Sequence, residues 1–307
     1  MNVKKQLTGH LAAYITIFIW GTTFISTKVL LRVFNPVEIL FFRFLIGYFA
    51  LWLVAPRFLR LTDKRQELYF AAAGLCGVTL YFLMENFALT FTQASNVGVI
   101  ISIAPFFTAL FDYWFLRGEK PGRRFFAGFL LAMAGIYLLS FRGGSSVSIN
   151  PAGDILAVGA AVVWAAYSVL TKKISSFGYG TIQTTRRIFF YGVFLMIPAL
   201  FLVDFSLDFS RFSDLKNLLN ILFLGFGASA LCFVTWNFAV GVLGSVKTSV
   251  YIYLVPVITV AASVLILKEI IGGMAVCGIL LTLAGLFLSE SRWPAEPQKK
   301  WIVQKER

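Results

Sequence analysis

The chain has 307 residues, 59% of them hydrophobic and 13% charged, and a formal net charge of +13. That apolar share exceeds what one soluble core can bury, which excludes an ordinary water-soluble domain and predicts that the surplus faces lipid. The positive charge lies in short segments between apolar runs and forms no single patch, so it is assigned to membrane orientation and no nucleic-acid partner is expected.

Apolar stretches long enough for a ~30 Å hydrocarbon layer follow one another at residues 10–31, 36–55, 68–90, 94–116, 123–141, 151–172, 180–203, 218–241, 245–267 and 272–289. The predicted fold is an all-α integral membrane protein with ten transmembrane helices. The first stretch is too long for a signal-peptide core and lacks a small-x-small cleavage site, so it is read as retained. Threading the chain back and forth leaves eighteen Lys and Arg on one side and six on the other, with Arg43, Arg186 and Arg187 inside spans. Basic loops favour the cytoplasm, so a cell-membrane location with both termini cytoplasmic is expected. Residues 204–216 read as an outer interfacial linker and 290–307 as a cytoplasmic tail.

Polar groups stand out along the spans. The first carries Trp20 on a face shared with Thr16, Thr23 and Thr27, and the second carries Arg43. On the third, Gly74, Gly77, Tyr81, Glu85, Ala88 and Thr92 recur at steps of three or four and form one stripe, with Asn86 beside it. Pro105 interrupts the fourth span, which ends near Asp112. The sixth repeats a mid-span tryptophan, Trp164, one turn before Tyr167, and the seventh carries Arg187. The eighth bears Gly225, Ala228, Cys232, Trp236 and Ala239 in a stripe, followed by Asn237. The ninth brings Tyr251 and Tyr253 close to Pro256.

These landmarks repeat. An offset of 144 superposes Trp20 on Trp164, Lys28 on Lys172 and Arg43 on Arg187, and an offset of 151 superposes Asn86 on Asn237 and Pro105 on Pro256. The chain therefore divides into two five-span repeats, 10–141 and 151–289. Five crossings end opposite to where they began, so the second repeat is predicted to be inverted, an arrangement suited to alternating access.

The run Trp20-Gly21-Thr22-Thr23-Phe24, the approach from Pro36 to Arg43, the Pro105 helix and the exit Leu116-Arg117-Gly118-Glu119 resemble the EamA-type domains of the drug/metabolite transporter superfamily. The second copy departs from that pattern at Trp164-Ala165-Ala166-Tyr167 and at Leu267-Lys268-Glu269. The resemblance implies ten helices, a cytoplasmic N-terminus and export or exchange of small metabolites such as amino acids.

Candidate substrate-binding residues are Trp20, Tyr81, Glu85, Trp164, Tyr167, Trp236 and Tyr251. Arg43, Arg187, Asn86, Asn237, Pro105 and Pro256 are expected to be structural or gating. The two arginines lie toward opposite ends of their spans, which favours anchoring over substrate contact. Glu85 has no counterpart, since Trp236 aligns with it; its roles stay open between proton coupling, a cation contact and a partner for Arg43. No phosphate-binding Gly-x-x-x-x-Gly-Lys-Ser/Thr loop occurs. His10 is the sole histidine, and Cys76, Cys232 and Cys277 are scattered, so no metal, cofactor or disulfide is expected. The leading function is a secondary transporter or facilitator of small organic molecules, monomeric or homo-oligomeric, that is not an enzyme. The alternatives are a membrane-embedded enzyme acting on a lipid or isoprenoid, which would need a second carboxylate beside Glu85, and a non-transporting scaffold.

Overall fold

The computed structural model describes residues 3–140, 151–201, 203 and 205–290. The 141–150 connection and, apart from Glu290, the expected cytoplasmic tail lie outside the described residues. Among the described residues there is no strand. The helices are α1 (Val3–Leu30), α2 (Pro36–Val54), α3 (Gln66–Phe91), α4 (Ala94–Leu116), α5 (Arg123–Ser140), α6 (Pro151–Ser175), α7 (Thr181–Leu200), α8 (Leu215–Leu243), α9 (Ser245–Leu267) and α10 (Gly273–Glu290). Seven of them, α1 to α4, α6, α8 and α9, are long and apolar enough to cross a membrane, and Gly273–Leu288 in α10 is a shorter apolar helix. Helix ends fall within three residues of the expected spans except at α1. That helix begins seven residues before its apolar stretch and carries Lys4 and Lys5 exposed in its first turn.

Local chemistry explains the boundaries. Pro36 preorganises the first turn of α2, and Asn35 and Glu38 form a reciprocal capping box: Glu38 N–H donates to Asn35 Oδ1 at 2.8 Å and Asn35 N–H donates to Glu38 Oε2 at 2.9 Å. At the end of α3, Lys28 Nζ donates to the carbonyls of Leu89 and Thr92, which occupies oxygens the helix leaves free.

Four long helices are irregular, and most of the irregularities come in pairs, the exception being a π-helical turn over Ser263–Leu267 of α9 that α4 lacks. In α3 the backbone widens to a π-helix over Leu75–Leu80, and in α8 over Phe223–Leu231. In α4 the α-helix stops at Ile101 and restarts at Ala104, with Pro105 in the restarting turn. In α9 a tighter 3-10 stretch, Val250–Leu254, precedes the restart at Val255–Pro256. Proline lacks an N–H and clashes with the preceding turn, which is why each break sits just before one. α4 closes on Arg117 and α9 on Lys268, both left-handed, with φ of 56° and 57°.

Two sets of cross-links mark the two ends of the bundle. At one end, Arg211 reaches from the α7–α8 connection to Glu38, with Nη1–Oε2 2.9 Å and Nη2–Oε1 3.0 Å. There too Glu269 caps α4 by accepting from Ala94 N–H at 3.0 Å and Ser95 Oγ at 2.8 Å. At the other end, Arg187 grips Glu67 through Nε (2.9 Å to Oε2) and Nη2, and Tyr191 OH donates to the same carboxylate at 2.7 Å. Arg186 donates to the carbonyls of Ala55 and Arg57. Ser245 Oγ donates to Asp112 Oδ1 at 2.5 Å. Each of these links joins a residue before position 141 to one after 150. Helices α5 and α10 pair closely because Gly135 and Gly285 have no side chain: a Cβ on Gly285 would sit 2.4 Å from the Ala132 nitrogen.

Candidate functional site: a central aromatic chamber

The aromatic core lies where α1, α3, α6 and α8 meet. The ring of Trp20 is 5.1 Å from those of both Trp164 and Trp236, and Tyr81 is 4.8 Å from Trp164. Trp20, Trp164 and Tyr81 line a cavity of about 30 Å³, room for one or two waters. Its walls are Ile17, Trp20, Thr23 and Phe24 from α1, Arg43 from α2, Tyr81, Phe82 and Glu85 from α3, Ile101 from α4, Trp164 from α6, and Ile252 and Val255 from α9. The π-helical segment of α3 ends just before this point. The widened turn brings both Tyr81 and Phe82 to the buried side, although they are adjacent in sequence.

Two charged side chains share this chamber. Arg43 is 0% exposed; its Nε donates to Ser229 Oγ at 3.1 Å and its guanidinium carbon lies 4.3 Å from the Phe82 ring centre. Its Nη1 and Nη2 have no hydrogen-bond partner. Glu85 is 2% exposed and lines the chamber with Tyr81, its Oε1 without a hydrogen-bond partner. Ion pairs join Arg187 to Glu67 and Arg211 to Glu38 and Asp208, whereas Arg43 and Glu85 interact through space without direct ion-pair contact.

Of the expected substrate contacts, Trp20, Tyr81, Glu85 and Trp164 line the chamber. Trp236 stands behind the two tryptophans, fully buried, with its indole N–H unpartnered. Tyr167 lies on the far side of Trp164, 4.9 Å between ring centres, and donates to Asn237 Oδ1 at 2.8 Å. Tyr251 sits away from the chamber, its hydroxyl 2.6 Å from His10 Nδ1. Arg43, expected to anchor, is in the chamber wall, whereas Arg187 is at the bundle end with its guanidinium occupied by Glu67 and the Leu59 carbonyl. Asn86 Nδ2 bonds the Pro36 carbonyl at 2.9 Å and Asn237 Nδ2 bonds Thr185 Oγ1 at 3.0 Å, so both tie helix to helix.

Sequence reasoning missed Ser229, Phe82, Ile252 and Val255. A steady 3.6-residue step through α8 selects Ala228 and Cys232, but the π-helix shifts the register and turns Ser229 toward Arg43. The only signal for Ile252 and Val255 was their closeness to Pro256.

A second cavity, about 190 Å³, opens beside the start of α1 and is lined by Lys5, Thr171, Ser175, Thr181, Thr184 and Asn237 among others. It shares no lining residue with the chamber. Tyr167 bridges the interval, packed on Trp164 and bonded to Asn237. Among the described residues no cluster of His, Cys, Asp or Glu could hold a metal ion.

The model of the EamA-like transporter family matches this sequence twice, over residues 7–141 and 151–290. An "Uncharacterized transporter" of Archaeoglobus fulgidus is 29% identical over 299 residues, covering 95% of this chain and 99% of that protein. A "Probable terminal-alkyne amino-acid exporter" of Streptantibioticus cattleyicolor is 26% identical, covering 92% and 93%. A solved structure, described only as "Crystal structure of protein", superposes with a TM-score of 0.66 at 21% identity, covering 94% of this chain and 98% of its own, and shares the fold.

Proposed function

This chain belongs to the EamA-like transporter family, a family of multi-pass membrane proteins, and on that footing we propose that it exports or exchanges small, amino-acid-like metabolites by alternating access. The observation that carries the reading is the chamber itself: central, aromatic, walled by both halves of the chain, and lined by two buried charged residues with unpartnered hydrogen-bonding atoms. A scaffold would have no use for such groups, because an unsatisfied buried charge is costly. The lining contains a single carboxylate, Glu85, so paired-acid chemistry on a lipid has no second acid there.

Two inverted five-helix repeats with ten crossings supply the machinery in this reading. Supporting it are the paired π-helices of α3 and α8, the paired proline breaks of α4 and α9, and the left-handed Arg117 and Lys268, which are 151 positions apart. The double match to one family model agrees with it. The distribution of Lys and Arg supports a cell-membrane orientation with both termini cytoplasmic. With no nucleotide-binding loop in the sequence, the driving force would be a solute or proton gradient, with Glu85 the group in the chamber able to carry a proton.

The test is flux in proteoliposomes. Saturable counterflow of amino acids is expected, accelerated by a pH gradient where a proton is coupled. Absence of saturable flux across a broad panel of amino acids and related amines would overturn the transport reading.

A further inference from the structure

We propose that the 190 Å³ cavity beside the start of α1 is a binding site for a phosphate-bearing anion, held by Lys5 and the first turn of α7, with the apolar part of its carrier against Ile174, Ile188, Phe238 and Val242. The site is separate from the central chamber and is independent of which solute the chain carries.

The cavity exists because the helices around it touch just beyond its edges. α1 closes on the end of α8 at Gly9, where a Cβ would lie 3.1 Å from side-chain carbons of both Val242 and Leu243. α6 approaches the same end of α8 at Gly241, where a Cβ would meet that of Ser175 at 3.4 Å. Lys5 stands about one turn before Gly9, past that contact, and borders the space left between the ends of α6 and α8 and the start of α7. A core cavity of about 150 Å³ admits a benzene ring, so this one has room for a phosphate group.

Its chemistry is one-signed. None of the lining residues is acidic, and Lys5 has neither a hydrogen-bond nor an ion-pair partner among the described residues. Most other polar side chains of the wall are committed elsewhere. Asn237 is bonded to Tyr167 and Thr185, and the hydroxyls of Thr171, Ser175 and Thr184 donate to carbonyls of their own helices. What remains is the Lys5 ammonium, the Thr181 hydroxyl and the first N–H groups of α7, which Gly180 does not cap with a side chain. All of these can donate, and the helix end adds positive partial charge. Lys172 and Lys173, in the last turn of α6, strengthen the field. Donors and positive charge without an acid reject an amine and suit an anion with several acceptor oxygens. The apolar side of the cavity favours a lipid as carrier: in the orientation proposed above this end meets the cytoplasmic leaflet, where basic pockets between helices take anionic headgroups. A free phosphate presents the same oxygens, and the test separates the two sources.

The test uses the full-length protein in detergent. Native mass spectrometry reads the binding of phosphatidylglycerol against phosphatidylcholine, and thermal shift reads inorganic phosphate against chloride at equal ionic strength. The wild type should hold one phosphatidylglycerol more tightly than phosphatidylcholine by about tenfold or more, the range of a charge-assisted hydrogen bond. Lys5→Gln should lose that preference. Lys4→Gln removes the same charge from the neighbouring residue, which is exposed and does not line the cavity, and should keep it. Stabilisation by phosphate that Lys5→Gln abolishes, without a lipid preference, assigns the site to a free anion; a lipid preference without a phosphate response assigns it to the headgroup. No lipid preference and no phosphate response in the wild type overturns the proposal without needing any variant to fold. Equal losses in Lys4→Gln and Lys5→Gln overturn it too, because the effect is then general surface charge. Neither readout involves flux, so the result stands apart from the transport reading.

Discussion

Gly77→Ala puts a methyl group where the structure has none to spare. A Cβ at this position would lie 2.2 Å from Tyr167 Cδ2, 2.5 Å from Cγ and 2.6 Å from Cε2. Carbon atoms rest about 3.5–4.0 Å apart, so the ring would have to withdraw by more than about 1 Å. It has nowhere to go without cost: Trp164 and Phe233 hold its other sides at ring-centre distances of 4.9 and 5.8 Å, and its hydroxyl is bonded to Asn237 at 2.8 Å. Overpacking costs about 1–3 kcal/mol and loss of the hydrogen bond adds about 1 kcal/mol. A loss of roughly 2–4 kcal/mol is expected in reversible SDS unfolding from mixed micelles. The decisive measurement is the double variant with Tyr167→Val. Removing the ring makes room for the methyl, so the double should be more stable than the sum of the singles by at least about 1 kcal/mol. Additivity within about 0.5 kcal/mol would refute the steric account, because neighbours that share a contact should couple.

Two further perturbations test the cross-links at the end of the bundle opposite the start of α1. Arg211→Ala removes the cation from a Glu38 carboxylate that is only 2% exposed and leaves it the N–H groups of Asn35 and Ser206. A loss of about 2–3 kcal/mol is expected, with Glu38→Ala/Arg211→Ala no worse than the more damaging single; equal stability of Arg211→Ala and wild type in SDS unfolding would contradict it. Glu269→Ala removes the acceptor for Ala94 N–H and Ser95 Oγ. Loss of a helix cap costs about 0.5–2 kcal/mol, so amide exchange in the first turn of α4 should accelerate by about tenfold, and unaltered exchange there would show that the cap contributes nothing.

How much of this was legible before any coordinates depended on the kind of signal. Long apolar stretches bounded by Pro36, Pro151 and Gly180 gave helix ends within a few residues, because hydrophobic length is a strong and local signal. Trp20, Tyr81, Glu85 and Trp164 were picked from periodicity and from the rarity of polar groups in apolar spans, and all four line one cavity. Tyr167, Trp236 and Tyr251 were picked the same way and do not line it. Periodicity assigns a face of a helix, but the partner on that face comes from another helix, and Asn237, Trp20 and His10 are distant in sequence. Ser229 was hidden for a different reason: a π-helix adds a residue to the turn and rotates everything after it. Arg43 and Arg187 could not be told apart at all, since what separates them is Glu67, which meets only one of them.

The cross-links bear directly on how such a molecule could work. The Glu38–Arg211 and Glu269–Ser95 links close one end, and the Glu67–Arg187 and Asp112–Ser245 links close the other, while the chamber between them has room for only one or two waters. In the proposed alternating-access cycle, exchange between two open states would have to break charge-assisted hydrogen bonds at one end while those at the other end hold. Each is worth about 1.5–3 kcal/mol, so a cycle is practicable only if carboxylates and guanidinium groups regain water as they part. Their position favours this. Glu67 and Arg187 are a quarter to a third exposed, with side-chain values of 33% and 25%, so solvent is already at hand. Glu38 is buried and rests on Arg211 as well as on its own helix cap. The end that holds Glu67 and Arg187 should thus open at lower cost, and the 190 Å³ cavity beside the start of α1 is lined by Asn237, the hydrogen-bond partner of Tyr167.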